Sequence, residues 1–226
     1  MLLFRKLLSL SLVCAFFWGC SLTPEASASS LDRVTFFGDS TTAHLSVRGG
    51  VPQNRVWSGA GSTVLFETVN KIKCVHLSAE GCDVTLAEAV RLKKPQILVI
   101  TIGVSGGAGV LPKERFIATY REMLDSVRRA SPSTKILVQS ILPLSDRSVK
   151  HYKSLTKDSV VKANGWIKSL CQEMGIPYLD THALLLDPAT GYLKAEYQND
   201  EYMHLTSEAY AVLLENIRRK IEVLGY

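Results

Sequence analysis

Gly38-Asp39-Ser40 follows the apolar run Val34-Thr35-Phe36-Phe37, and a histidine, His204, stands near the C-terminus just before an amphipathic stretch. A serine hydroxyl is a poor nucleophile until a neighbouring base takes its proton, and imidazole suits that task at neutral pH. The imidazole in turn needs an acceptor on its other ring nitrogen, which fixes the tautomer and stabilises the imidazolium. Glu201 precedes His204 by three residues and Asp200 by four, so a short loop can bring either carboxylate to the ring. These residue types in this order point to nucleophilic serine catalysis. Ser40 is the expected nucleophile, His204 the base and Glu201 the orienting carboxylate, with Asp200 as the alternative.

The elements that must position them alternate. Apolar runs Val34–Phe37, Ile97–Ile102, Ile136–Leu142 and Ile176–Leu179 predict strands, with a weaker candidate around Ile72–Leu77. Unbroken runs such as Ile97-Leu98-Val99-Ile100 suit strands buried on both faces, as in a parallel sheet. Helical spacing of apolar residues predicts helices near Leu86–Lys93, Lys113–Ala130, Ser159–Met174 and Ser207–Val223. Ser131-Pro132 and Gly175 stop two of them, and Thr206 caps the last. The alternation implies an α/β chain folded as a three-layer α/β/α domain, with active-site groups at the carboxyl ends of the strands. Ser40 then sits where the first strand ends and a helix starts.

Gly38-Asp39-Ser40 and Glu201-Tyr202-Met203-His204-Leu205-Thr206 resemble the first and last blocks of the SGNH or GDSL hydrolases. The resemblance runs from about Arg33 to the last helix. It implies a flavodoxin-like parallel sheet of about five strands and a serine esterase or deacetylase that works through an acyl-enzyme without a cofactor. It also implies an oxyanion hole built from the Ser40 amide, the Gly61 or Gly59 amide, and a third-block asparagine. In this chain Gly103-Val104-Ser105-Gly106 puts Ser105 at the asparagine position, and Glu201 stands where the family usually has aspartate. Loss of one oxyanion donor costs on the order of a hundredfold in rate. The implied substrate is a carboxylic ester, with a carbohydrate O-acetyl group the favoured class. Two alternatives use the same fold: a binding or scaffolding module with an impaired site, and an O-acyltransferase.

A competing pattern is Gly103-Val104-Ser105-Gly106-Gly107, which reads as the nucleophile elbow Gly-x-Ser-x-Gly, with Asp180 and His204 to complete it. Gly109 and Pro112 postpone the helix that an elbow requires, which favours Ser40. His182 is expected as a loop histidine and His44 as a helical packing residue. Trp57 and Tyr202 border the expected site, where they can stack on a sugar or line the wall.

The ends and composition bound the rest. Residues 1–20 pair basic Arg5 and Lys6 with the apolar stretch Leu7–Trp18, which is too short to cross a bilayer and reads as a signal peptide. Gly19-Cys20-Ser21 resembles a lipobox, so Cys20 is the expected lipidated N-terminus, with Ala26-Ser27-Ala28 as the alternative cleavage site. Residues 21–30 then form a tether and 31–226 the hydrolase domain. The protein is expected to be exported, with a membrane partner only through the lipid anchor. The formal charge is +5, of which Arg5 and Lys6 supply two, and no basic run remains to bind nucleic acid. Cys74 and Cys82 flank Val75–Gly81. They either form a disulfide in an oxidising compartment or join Cys171 as free thiols. No Cys pair has C-x-x-C spacing and the five histidines are dispersed, so no structural metal site is expected.

Overall fold

A computed structural model describes residues 30–226. The stretch expected to be a signal peptide, Cys20 and nearly all of the expected tether lie outside the described residues. The described residues form seven strands: β1 Val34–Gly38, β2 Val56–Trp57, β3 Val75–Leu77, β4 Cys82–Val84, β5 Ile97–Thr101, β6 Lys135–Gln139 and β7 Tyr178–Leu179. Five of them form one parallel sheet in the order β2-β1-β5-β6-β7, the flavodoxin-like winding. Helices α1 Ser40–Ala43, α2 Leu45–Arg48, α3 Leu86–Lys93, α4 Lys113–Ala130, α5 Lys157–Met174, α6 Thr181–Leu185 and α7 Ser207–Leu224 connect and cover it. The expected three-layer α/β/α fold is therefore present.

Alternate residues of the central strands feed two cores. Phe37, Leu98, Ile100 and Val138 pack with Val90 of α3, Met123 of α4 and Ile167 of α5 on one face. Val34, Phe36, Ile97, Val99 and Leu137 pack with Leu45, Leu185 and the Tyr210, Leu213 and Ile217 stripe of α7 on the other. Such two-sided burial is why these strands read as unbroken apolar runs. The helix ends follow local chemistry. Thr85 with Glu88 and Thr156 with Ser159 form reciprocal caps, and Gly175 and Gly225 close α5 and α7 in the left-handed conformation.

One expectation needs correction. The segment around Ile72–Leu77 is not a strand of the main sheet: Val75–Leu77 pairs antiparallel with Cys82–Val84 in a separate hairpin. The edge strand beside β1 is instead the two-residue β2. The hairpin also decides the thiols. Leu77 lies opposite Cys82, so Cys74 is three residues out of register with it. At about 3.3 Å per residue that offset exceeds the roughly 7 Å Cα limit for a disulfide. All three described cysteines are free, Cys74 and Cys171 buried and Cys82 exposed.

Candidate active site

The site stands at the carboxyl edge of the sheet, where β1 and β5 run side by side and their following loops diverge. Gly38 is required there because a Cβ would collide with the Thr101 carbonyl oxygen and the Thr42 hydroxyl. Asp39 caps α1 by accepting the Thr41 N–H at 3.3 Å, and Ser40 opens the helix. The helix ladder begins with Ala43 N–H to the Asp39 carbonyl, which leaves the Ser40 N–H outside it. Asp39 is 2% exposed. Burial pushes its carboxyl up to about 7, against the opposing pull of the Thr41, Ser105 and Val104 N–H groups. This carboxyl therefore ties the turn that carries Ser40 to the loop after β5. Gly103 in that loop has φ +123°, a conformation that glycine alone adopts freely.

His204 is presented by the loop before α7. An isolated bridge between Gln198 and Leu205 closes this loop, and the Asn199 N–H bonds to the His204 carbonyl at 3.0 Å. Its Nε2 lies 3.0 Å from Ser40 Oγ, and its Nδ1 meets Asp200 Oδ2. The other Asp200 oxygen accepts the N–H groups of Tyr202 at 2.9 Å and His204 at 3.3 Å. Desolvation pushes the Asp200 carboxyl up. The Tyr202 N–H and the His204 ring outweigh it and hold the carboxyl below its ordinary value.

The expected partner Glu201 is not the one at the ring. Its side chain turns the other way, to Arg147 at 3.8 Å and His151 at 3.5 Å. Asp200 wins because its short side chain closes a turn over the Tyr202 and His204 N–H groups, and that turn aims its second oxygen at Nδ1.

Other expected residues fall as follows. Gly59 to Ser62 form a turn after β2, closed by Ser62 N–H to the Gly59 carbonyl at 2.7 Å, on the same sheet edge as Ser40. A Cβ on Gly61 would meet nothing, whereas one on Gly59 would press on the Thr63 carbonyl. The Ser105 carbonyl accepts the Phe66 N–H at 2.8 Å, and Ser105 lines a cleft of about 240 Å³ with Leu65, Val104, Val110, Tyr152, Leu155 and Met203. No helix follows Ser105 before α4, and Asp180 instead caps α6 through the Ala183 N–H at 3.0 Å, so the elbow pattern is not assembled. Trp57 is 3% exposed and belongs to the core, not to the site border. Tyr202 is 40% exposed and stacks on His151, ring centroids 4.2 Å apart. His182 is buried, with Nδ1 3.1 Å from the Ile141 carbonyl oxygen.

His44, expected as a helical packing residue, packs on His204, a contact that its sequence position did not disclose. Its ring lies against that of His204, with centroids 4.3 Å apart. Its spacing of four from Ser40 is the available signal, since it places both on one side of the turn that follows β1. Among the described residues, no group of three or more His, Cys, Asp or Glu side chains is arranged to hold a metal ion.

A hydroxyl, an imidazole and a carboxylate in this line can pass a proton from Ser40 to His204 while Asp200 stabilises the cation formed. Comparison with known proteins agrees with the fold. A GDSL-like lipase from Bacteroides thetaiotaomicron is 15% identical, with a TM-score of 0.59 over 84% of this chain and 88% of that one. A carbohydrate esterase of family 3 from Talaromyces cellulolyticus is 18% identical, with a TM-score of 0.53 over 84% and 96%. A lipase/acylhydrolase from Enterococcus faecalis is 16% identical, with a TM-score of 0.53 over 83% and 94%. No curated protein matches the chain. The GDSL-like Lipase/Acylhydrolase family model matches residues 36–212, which include both Ser40 and His204, and the chain belongs to that family of ester hydrolases.

Proposed function

We propose that Ser40 attacks an ester carbonyl while His204 takes the Oγ proton and Asp200 orients and stabilises the imidazolium. The Oγ–acyl bond forms, the proton passes to the leaving alcohol, and the acyl-enzyme remains. Water, deprotonated by His204, then releases the acid and restores Ser40. The observation that carries this reading is the 3.0 Å contact between Ser40 Oγ and His204 Nε2, with Asp200 at the far nitrogen. The Ser40 amide, a Gly61 or Gly59 amide and the Ser105 hydroxyl are the oxyanion donors.

The substrate of this reading is an acetyl ester on a carbohydrate of the cell envelope, met by an exported protein anchored through Cys20. The stacked Tyr202–His151 pair supports it, since it presents a flat aromatic face on which a sugar can lie. A second reading is favoured by the cleft beside Ser105, whose walls are mainly apolar and suit a longer acyl chain.

Hydrolysis of p-nitrophenyl acetate, butyrate and octanoate by wild type, Ser40→Ala, His204→Ala and Ser105→Ala tests both. Loss of turnover in Ser40→Ala and His204→Ala, with a partial loss in Ser105→Ala, is expected. The chain length with the highest kcat/KM selects between the readings. Turnover that survives Ser40→Ala and is abolished by Ser105→Ala overturns the assignment.

A further inference from the structure

Ser40, His44 and Arg48 stand one helical turn apart. The His44 N–H donates to the Ser40 carbonyl at 3.1 Å, and the Arg48 N–H donates to the His44 carbonyl at 2.8 Å. The three side chains therefore follow one face of α1 and α2. The His44 ring packs against the His204 ring, centroids 4.3 Å apart and planes tilted by 56°. Arg48 Nη1 lies 3.0 Å from His44 Nδ1. A guanidinium can only donate, so Nδ1 is the acceptor and the proton of the neutral ring sits on Nε2. His204 is thus held at Nε2 by Ser40, at Nδ1 by Asp200 and through ring contact by His44.

We propose that His44 is a positioning residue for the His204 imidazole, and that Arg48 keeps His44 in the neutral form that this place requires. The proposal rests on the serine-hydrolase reading above. When Ser40 gives its proton to His204, the product is an imidazolium. A second cation packed against it would oppose that step, and only a neutral ring can brace it without penalty. The groups facing His44 are His204 and Asp200, from the loop before α7, and Arg48 from α2. Burial, His204 and Arg48 lower the His44 pKa, and Asp200 acts in the opposite sense without reversing them. His44 takes no proton in the reaction. It limits how far the base can swing from Ser40.

The experiment compares kcat and KM for p-nitrophenyl acetate from about pH 5 to about pH 9 in wild type, His44→Ala, His44→Phe, Arg48→Met and the double variant Arg48→Met/His44→Phe. Loosening the base in His44→Ala is expected to lower kcat on the order of tenfold to a hundredfold with little change in KM. His44→Phe, which returns a ring to that place, recovers most of the loss. In Arg48→Met, His44 gains a proton more easily, so the acid limb of the profile moves to higher pH. Removing the titrating ring in the double variant moves it back. Wild-type kcat in His44→Ala overturns the proposal, as does no recovery in His44→Phe. A limb still displaced in the double variant overturns it too, because Arg48 then acts without His44. If His44→Ala does not fold, the other three variants decide. A wild type that neither turns over nor labels at Ser40 with a fluorophosphonate overturns the serine-hydrolase reading itself. Labelling with indifferent His44 and Arg48 variants overturns only this inference.

Discussion

Replacing Asp200 by asparagine changes a single atom of the His204 support, and the structure says which function that atom serves. One Asp200 oxygen holds the Tyr202 and His204 N–H groups and the other faces His204 Nδ1. In Asp200→Asn the amide oxygen can keep the two backbone bonds, so the loop stays closed. The amide nitrogen then faces Nδ1 as a donor and drives the ring proton to Nε2. Nε2–H donates to Ser40 Oγ and can no longer accept from it. The same tautomer error in another serine hydrolase costs about ten-thousandfold in kcat, equivalent to about 5 kcal/mol of transition-state stabilisation. Glu201→Gln removes only an exposed pair with Arg147 and His151, 3.8 and 3.5 Å away. Exposed pairs of this kind are worth about 0–1 kcal/mol, so its kcat should stay within about fivefold of wild type. Stopped assays with p-nitrophenyl acetate, paired with melting curves to confirm folding, measure both. An Asp200→Asn enzyme within tenfold of wild type, or a Glu201→Gln enzyme as slow as Asp200→Asn, refutes the assignment of the orienting carboxylate.

Asp39 gives a pH signature. Its folded pKa of about 7 lies above the ordinary 3.8, so the folded protein holds a proton that the unfolded chain has released. Its contribution is complete below about pH 4 and is lost as pH rises through about 7, on the order of 4 kcal/mol in all. The stability difference between wild type and Asp39→Asn, followed by denaturant melts across that range, should fall with rising pH. A flat difference contradicts the burial of this carboxyl. Gly38→Ala should destabilise by about 1–3 kcal/mol, because the added methyl has no room between β1 and the Thr101 carbonyl. An unchanged melting temperature contradicts the close approach of β1 and β5.

The buried strands and long helices were legible because burial on two faces and one-sided packing leave distinct residue periods. Val34–Phe37 and Ile97–Ile100 read as unbroken apolar runs, and the Tyr210, Leu213, Ile217 and Ile221 stripe marked α7. β2 was not legible: two residues carry no period, and its place beside β1 is set by pairing of Phe37 with Trp57. That pairing also buries Trp57, which chain position alone had put at the site border. Ser40 and His204 were legible from residue type and flanking elements. The choice of Asp200 over Glu201 was not, because it depends on a turn made by side-chain capping of two backbone N–H groups. His44 was legible as a helical packing residue, but its contact with His204 was not, because that depends on where the loop before α7 sets the second ring.

The central claim is that Ser40 is the nucleophile of a His204-driven acyl transfer. The most direct measurement is labelling of wild type and His204→Ala with a fluorophosphonate, followed by peptide mass spectrometry to locate the adduct. The account predicts one adduct, on the peptide containing Ser40, formed quickly in wild type and greatly slowed in His204→Ala. An adduct on Ser105, or a Ser40 adduct whose rate ignores His204, contradicts it.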